Sequence, residues 1–201
     1  MTDSRTRLLD AAAEEFARHG LKGTRVQSIV QRAGVNERMI YHHFGSKDGL
    51  YAAVVDHLRR RAGTAMAALL AEAELLPPYL AMRRVLTGMF DGFRADPYLP
   101  AIFAHEGLSG QDVAPFPTTQ ELPPGLRAIY EAGQRDGVFR PDLPFEIAYL
   151  TSIGAIVGLA GWFAPRFAGS LGPGPWTDPV HLRDQIIGQL VDGLTGPPAA
   201  G

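Results

Sequence analysis

Twenty-four residues, Thr24 to Lys47 (TRVQSIVQRAGVNERMIYHHFGSK), limit what this chain can fold into more than any other stretch. They spell two short helices about a tight turn and then the start of a third. Thr24 and Gln27 have the spacing of a capping box, so the Thr24 hydroxyl is expected to take a backbone N–H while Gln27 reaches back. The first helix then begins near Arg25. Val26, Ile29, Val30 and Ala33 recur at helical spacing, and Gly34 is the residue that turns left-handed at a helix end. Val35 plugs the turn, and Asn36 is a good N-cap for the second helix. In that helix Ile40 and Phe44 face inward with Val35, which leaves Glu37, Arg38, Met39, Tyr41, His42 and His43 largely outward.

Upstream, Leu8, Leu9, Ala12, Ala13 and Phe16 form an apolar stripe that predicts a bracing helix stopped at His19-Gly20. Downstream, Ser46 is placed to cap a fourth helix with Leu50, Tyr51, Val54, Val55 and Leu58 on its inner face. That helix runs on toward Leu76 and ends at Pro77-Pro78. An outward face as polar and aromatic as that of residues 37–43 suits the base edges of a DNA major groove. Two helices around a glycine also occur in many all-α proteins.

The joint pattern is more specific: Gly34-Val-x-x-x-x-Ile-Tyr-x-His-Phe-Gly-Ser-Lys47, with LLDAAAEEFARHG before it and an apolar helix after it. Over about residues 5 to 55 it resembles the tetracycline-repressor (TetR) family of bacterial regulators. The resemblance implies an all-α fold with a helix-turn-helix DNA-binding domain at 1–47 and a helical ligand-binding and dimerisation domain at 48–196. The tail at 197–201, with nothing to bury, is expected to be disordered. Relatives commonly carry Glu at the position of Gly49, completing a capping box with Ser46, so Gly49 should weaken that helix start slightly.

Charge follows the same division. The net charge is −2, yet residues 1–60 hold ten Lys and Arg against seven Asp and Glu, while residues 61–201 hold nine against fourteen. Phosphate contacts supply sequence-independent affinity, so the local excess matters more than the total, although scattered surface Arg explains it equally well. The absence of cysteine excludes disulfides, thiolate catalysis and Cys-based zinc sites. The first residues form no secretory signal, and the expected compartment is the cytoplasm.

Beyond Pro78 the chain reads as helices throughout. Leu80, Leu86, Met89, Phe90 and Phe93 share one face, and Asp96-Pro97 separates them from a short helix carrying Leu99, Ile102, Phe103 and Leu108. Residues 109–124 read as a loop, followed by helices at 124–136, 145–164 and 179–194. The segment 145–164 nearly meets the length and apolarity of a membrane span. Its Gly154, Gly158 and Gly161 suit close helix approach instead, and the family resemblance implies that the last two long helices pair with their twofold mates. A helix buried by core on one side and partner on the other is apolar all round. The expected dimer residues are Ile153, Gly154, Val157, Gly158, Gly161, Ile186 and Leu190, with no membrane partner.

At the motif, Arg38 fits either a bidentate pair with guanine or a phosphate. Tyr41 and His42 resemble family positions that meet backbone or base edges, while His43 serves equally as a packing residue. Lys47 suits a phosphate, and Arg25 and Gln27 lie within reach of a phosphate or flanking base, with plain capping the other role for Gln27. Met39 suits a thymine methyl, and Glu37 either cytosine N4 or solvent. In the C-terminal part the aromatic residues read mostly as core, with Phe90, Phe93, Phe103, Tyr149 and Trp162 lining a small-molecule pocket and Arg94 and His105 as its polar anchors. His105 and Glu106 are the one tempting acid/base pair, but neighbours on a helix do not share a face. No catalytic residue, cofactor or metal site is expected. The implied function is a ligand-responsive, homodimeric regulator, most simply a repressor on a palindromic double-stranded operator. The rival readings are an all-α dimeric interaction module and a helical ligand carrier without DNA binding.

Overall fold

A computed structural model of the protein describes residues 3–110, 121–163, 170 and 172–196. Residues 111–120 of the expected loop, Phe116 among them, the tail at 197–201, and the side chains of Trp162 and Phe163 lie outside the described residues. Nine α-helices run in order through what is described: α1 (Ser4–Gly23), α2 (Val26–Ala33), α3 (Arg38–Phe44), α4 (Lys47–Ala73), α5 (Pro78–Ala95), α6 (Tyr98–Ser109), α7 (Pro124–Arg135), α8 (Phe145–Val157) and α9 (Pro179–Leu194). A π-helical turn, Gly158–Phe163, continues from α8, and a 3₁₀ turn, Pro175–Thr177, precedes α9. The only bridge of β type among the described residues joins Phe139 to Thr195. The all-α expectation holds.

The chain packs as two compact units, one of residues 1–64 and 96–116, the other of 65–95 and 117–201. The first holds α1 to α3, α4 as far as Thr64, and α6. Its core is the predicted stripe of α1 closed by Ile29, Ile40 and the inner face of α4, with Ile102 of α6 added. Phe16 and Tyr51 meet edge to face, ring centres 4.9 Å apart. α1 does not stop at Gly20 as expected. Gly20 takes φ 66° and ψ 176°, a conformation open to glycine, and the helix resumes to Gly23. The bend seats the His105 ring of α6, which a methyl on Gly20 would meet at 3.3 Å.

In the second unit α5 packs against α7, α8 and α9. Val85, Leu86, Phe90, Leu126, Tyr130, Ile156, Ile187 and Val191 fill the centre. Leu80 and Leu108 depart from the expected apolar faces, since they are 49% and 90% exposed. On α5 the buried turn is supplied by Ala81 and Met82 instead, one register on. α9 starts where Asp178 accepts the backbone N–H groups of Val180 (2.9 Å) and His181 (3.3 Å), with Pro179 in the first turn where its missing N–H costs nothing. Among the described residues no helix is long and apolar enough to cross a membrane. α8 shows why its sequence looks membrane-like. Phe145, Ala148, Ser152 and Ile156 are buried along one side, while Ile147 (52% exposed) and Leu150 (56%) stand apolar on the other.

Candidate nucleic-acid interface

The turn between α2 and α3 is built as the sequence requires. Gly34 adopts the left-handed conformation (φ 63°, ψ 42°), and its N–H closes back on Gln31 and Val30. Val35 packs against the core of the first unit. The Asn36 side chain accepts the backbone N–H of Arg38 at 2.9 Å, the work of an N-cap, although the helical geometry starts one residue later than that role implies. Ile40 is fully buried and anchors α3.

Thr24 behaves differently from the expected capping box. Its hydroxyl turns back and donates to the carbonyls of Glu15 (3.0 Å) and Gly20 (2.8 Å), so it closes the bent end of α1. The bend at Gly20 leaves carbonyls there in need of donors, and this outweighs capping of α2. Arg25 takes the N-cap position of α2 with no side-chain hydrogen bond, and Gln27 is exposed. The first backbone N–H groups of α2 therefore face outward without a side-chain partner.

On α3, Arg38, Tyr41 and His42 are exposed. The Tyr41 hydroxyl, on a ring 53% exposed, donates to Glu37 at 3.3 Å. Met39 sits lower than expected, and His43 takes the packing position that is its other role. Met39 packs against the first core, and the Nε2 of His43 lies 3.1 Å from the Ser4 hydroxyl of α1. Phe44 is half-buried, and the Arg5 guanidinium stands 5.5 Å above the centre of its ring. No local pattern singles out Ser4 or Arg5, since their contacts bridge 39 positions. Lys47 opens α4, where the Ser46 hydroxyl accepts the Gly49 N–H at 2.9 Å, as predicted.

Ion pairing sorts the cations of the first unit. Arg18 pairs with Glu14, Arg32 with Glu14 and Glu15, Arg60 with Asp56, and Arg61 with Asp96. Among the described residues Arg5, Arg25, Arg38 and Lys47 form no ion pair. Arg7 and Lys22 of α1 also form none, so the uncompensated charge includes the cations on and beside α3 without being confined to them, and those at α3 suit a polyanion.

The profile described as "Bacterial regulatory proteins, tetR family" matches residues 8–54. The HTH-type transcriptional repressor NicS of Pseudomonas putida is 34% identical over 152 residues, 73% of this chain and 71% of its own. This chain belongs to the TetR family. The HTH-type transcriptional repressor KstR2 of Rhodococcus jostii is 29% identical over 199 residues, covering 96% of this chain and 92% of that one. The ketosteroid transcriptional regulator KstR2 of Mycobacterium tuberculosis shares the fold with a TM-score of 0.70, at 20% identity over 98% of this chain and 97% of that one. As a TetR-family member the protein is a DNA-binding transcriptional regulator.

The other expected TetR-family sites are spread through the molecule. Phe90, Phe93, Arg94 and Tyr149 belong to the second unit, whereas Phe103 and His105 belong to the first. Phe90 is 1% exposed in the core, Arg94 is exposed, and Tyr149 borders a cavity. That cavity, of about 10 Å³, lies among Met82, Leu86, Tyr130, Phe145, Tyr149 and Ser152. Burial pushes the Tyr149 phenol upward, so it stays neutral. Of the expected dimer residues, Gly158 and Ile186 are buried inside the unit, Ile153, Val157, Gly161 and Leu190 are half-buried, and Gly154 is exposed.

Proposed function

We propose that the protein is a cytoplasmic homodimeric repressor that leaves a palindromic operator when a small molecule binds its second unit. Residues 1–47 act as the reading module. Arg38, Tyr41 and His42 meet base edges and backbone in the major groove, with Glu37, Met39 and His43 at the margins of that face. Arg25, Gln27 and Lys47 take phosphates. The observation that carries this reading is the outer face of α3, where Arg38, Tyr41 and His42 are exposed while Ile40 is fully buried on the opposite side.

A twofold mate is supported by the apolar outer side of α8, where Ile147, Leu150 and Gly154 are open. Burying such residues supplies about 25 cal/mol per Å². The effector is an uncharged, largely apolar molecule, because the residues around Tyr149 offer hydroxyls and rings and no charge. The cavity there holds no more than a water-sized body, so effector entry has to part α5, α7 and α8. The name of the mycobacterial relative, a ketosteroid regulator, agrees with an apolar effector. A coupling of about 1–3 kcal/mol suffices to lower operator affinity ~5–150-fold. The test is operator binding, by fluorescence anisotropy, with and without a panel of neutral hydrophobic compounds. A protein that binds such compounds while showing no preference among DNA duplexes is a carrier, and this reading is then wrong.

A further inference from the structure

The first turn of α1 faces the last turn of α3 through two contacts far apart in sequence. Ser4 meets His43 at 3.1 Å, and Arg5 stacks over Phe44 at 5.5 Å. From this geometry we infer that Arg5 is a DNA-binding residue that grips a backbone phosphate bordering the groove entered by α3. The inference rests on the proposed role of α3 as the reading helix.

Three observations lead there. Arg5 is exposed and has no carboxylate partner among the described residues, although Asp3 is close by. Asp3 is engaged by the Ser4 hydroxyl at 3.3 Å, and the first turn of α1 contains no acid. Stacking on Phe44 restricts the long Arg side chain and leaves the edge of its planar guanidinium, where all the donors lie, free to meet an anion. Phe44 is the last residue of α3, so the cation stands at the rim of the outward face and not on it. Base edges are read from the face, while the rim meets the sugar-phosphate strand. Arg5 is therefore, with Arg38 and Lys47, a cation of this unit that no carboxylate neutralises among the described residues. It contributes affinity and register without choosing a base.

The test uses the full-length protein and a duplex enriched by it from a randomised pool. Each phosphate contact adds about 0.9 to the slope of log affinity against log salt, hence about 1.8 for the two subunits of a dimer. Arg5→Gln should flatten the slope by that amount, so that the advantage of the wild type shrinks about twelve-fold between 50 and 200 mM salt. The enriched sequence should stay the same, and Arg5→Lys should restore the slope. Arg18→Gln, which removes a cation already paired with Glu14, should leave it unaltered. An unchanged slope for Arg5→Gln, an equal loss for Arg18→Gln, or a changed base preference would each overturn the assignment. Failure of the wild type to enrich any duplex would instead remove the reading of α3 on which it rests.

Discussion

The Tyr51 hydroxyl donates a 2.9 Å hydrogen bond to the Glu106 carboxylate and so ties α4 to α6 inside the first unit. Both side chains are buried, at 1% and 4% exposure. Burial, and then the hydrogen bond to Glu106, push the phenol well above the usual tyrosine range, so Tyr51 remains a donor. α6 follows α5 in the chain yet packs on α1, with His105 seated at the bend of Gly20. A segment beyond the sequence motif is therefore part of the DNA-binding unit's own core.

Tyr51→Phe strands a buried carboxylate, which costs about 1–3 kcal/mol. Thermal melts should show the loss. The phenol is harder to ionise folded than unfolded, so its contribution is complete below about pH 10 and disappears as pH rises through the folded-state value. The variant should accordingly unfold less steeply than the wild type in alkaline titration, and identical alkaline profiles would exclude this role for the pair.

Gly49 gives a prediction opposite to helix propensity. Gly to Ala inside a helix ordinarily stabilises by about 0.5–1 kcal/mol. Here a methyl on Gly49 would lie 2.1 Å from the Phe44 carbonyl oxygen, and backbone does not yield cheaply. Gly49→Ala and Gly49→Glu should both lower the melting temperature and weaken operator binding, because the end of α3 has to move. A stabilised Gly49→Glu protein, as a completed capping box implies, would contradict the geometry.

That contrast shows what the sequence could and could not tell. Gly34, Asn36, Ile40 and Ser46 act through neighbours within a few positions, so spacing revealed their roles. Thr24 departs from its capping-box spacing because its partners, Glu15 and Gly20, become acceptors only through a bend that no local pattern announces. Ser4, Arg5 and Glu106 depend on contacts made 39 to 55 positions away. Aromatic composition likewise marked a C-terminal core without separating the Tyr149 cavity in one unit from His105 in the other.

On the reading helix, Arg38→Ala and Lys47→Ala should fail in different ways. Loss of a bidentate guanine contact costs about 1–3 kcal/mol and relaxes preference at one base pair in each half-site. Loss of Lys47 should weaken all duplexes alike and flatten the salt dependence. Measured on a panel of single-base operator variants, identical behaviour of the two proteins would refute this division of roles.

Leu150→Asp places a charge on the open side of α8, away from the buried line of Phe145, Ala148, Ser152 and Ile156. Sedimentation should show monomers, with the melting of the first unit little changed and operator affinity sharply reduced. A dimer that survives Leu150→Asp together with Ile147→Asp would place the twofold contact elsewhere.

The most direct measurement is enrichment from a randomised duplex pool at about 0.1 M salt, followed by footprinting of the product. The account predicts an inverted repeat whose half-site centres lie about one helical turn, ~34–36 Å, apart and are protected on one face by one dimer. A pool that emerges without sequence preference, or a single unrepeated site bound by a monomer, would contradict it.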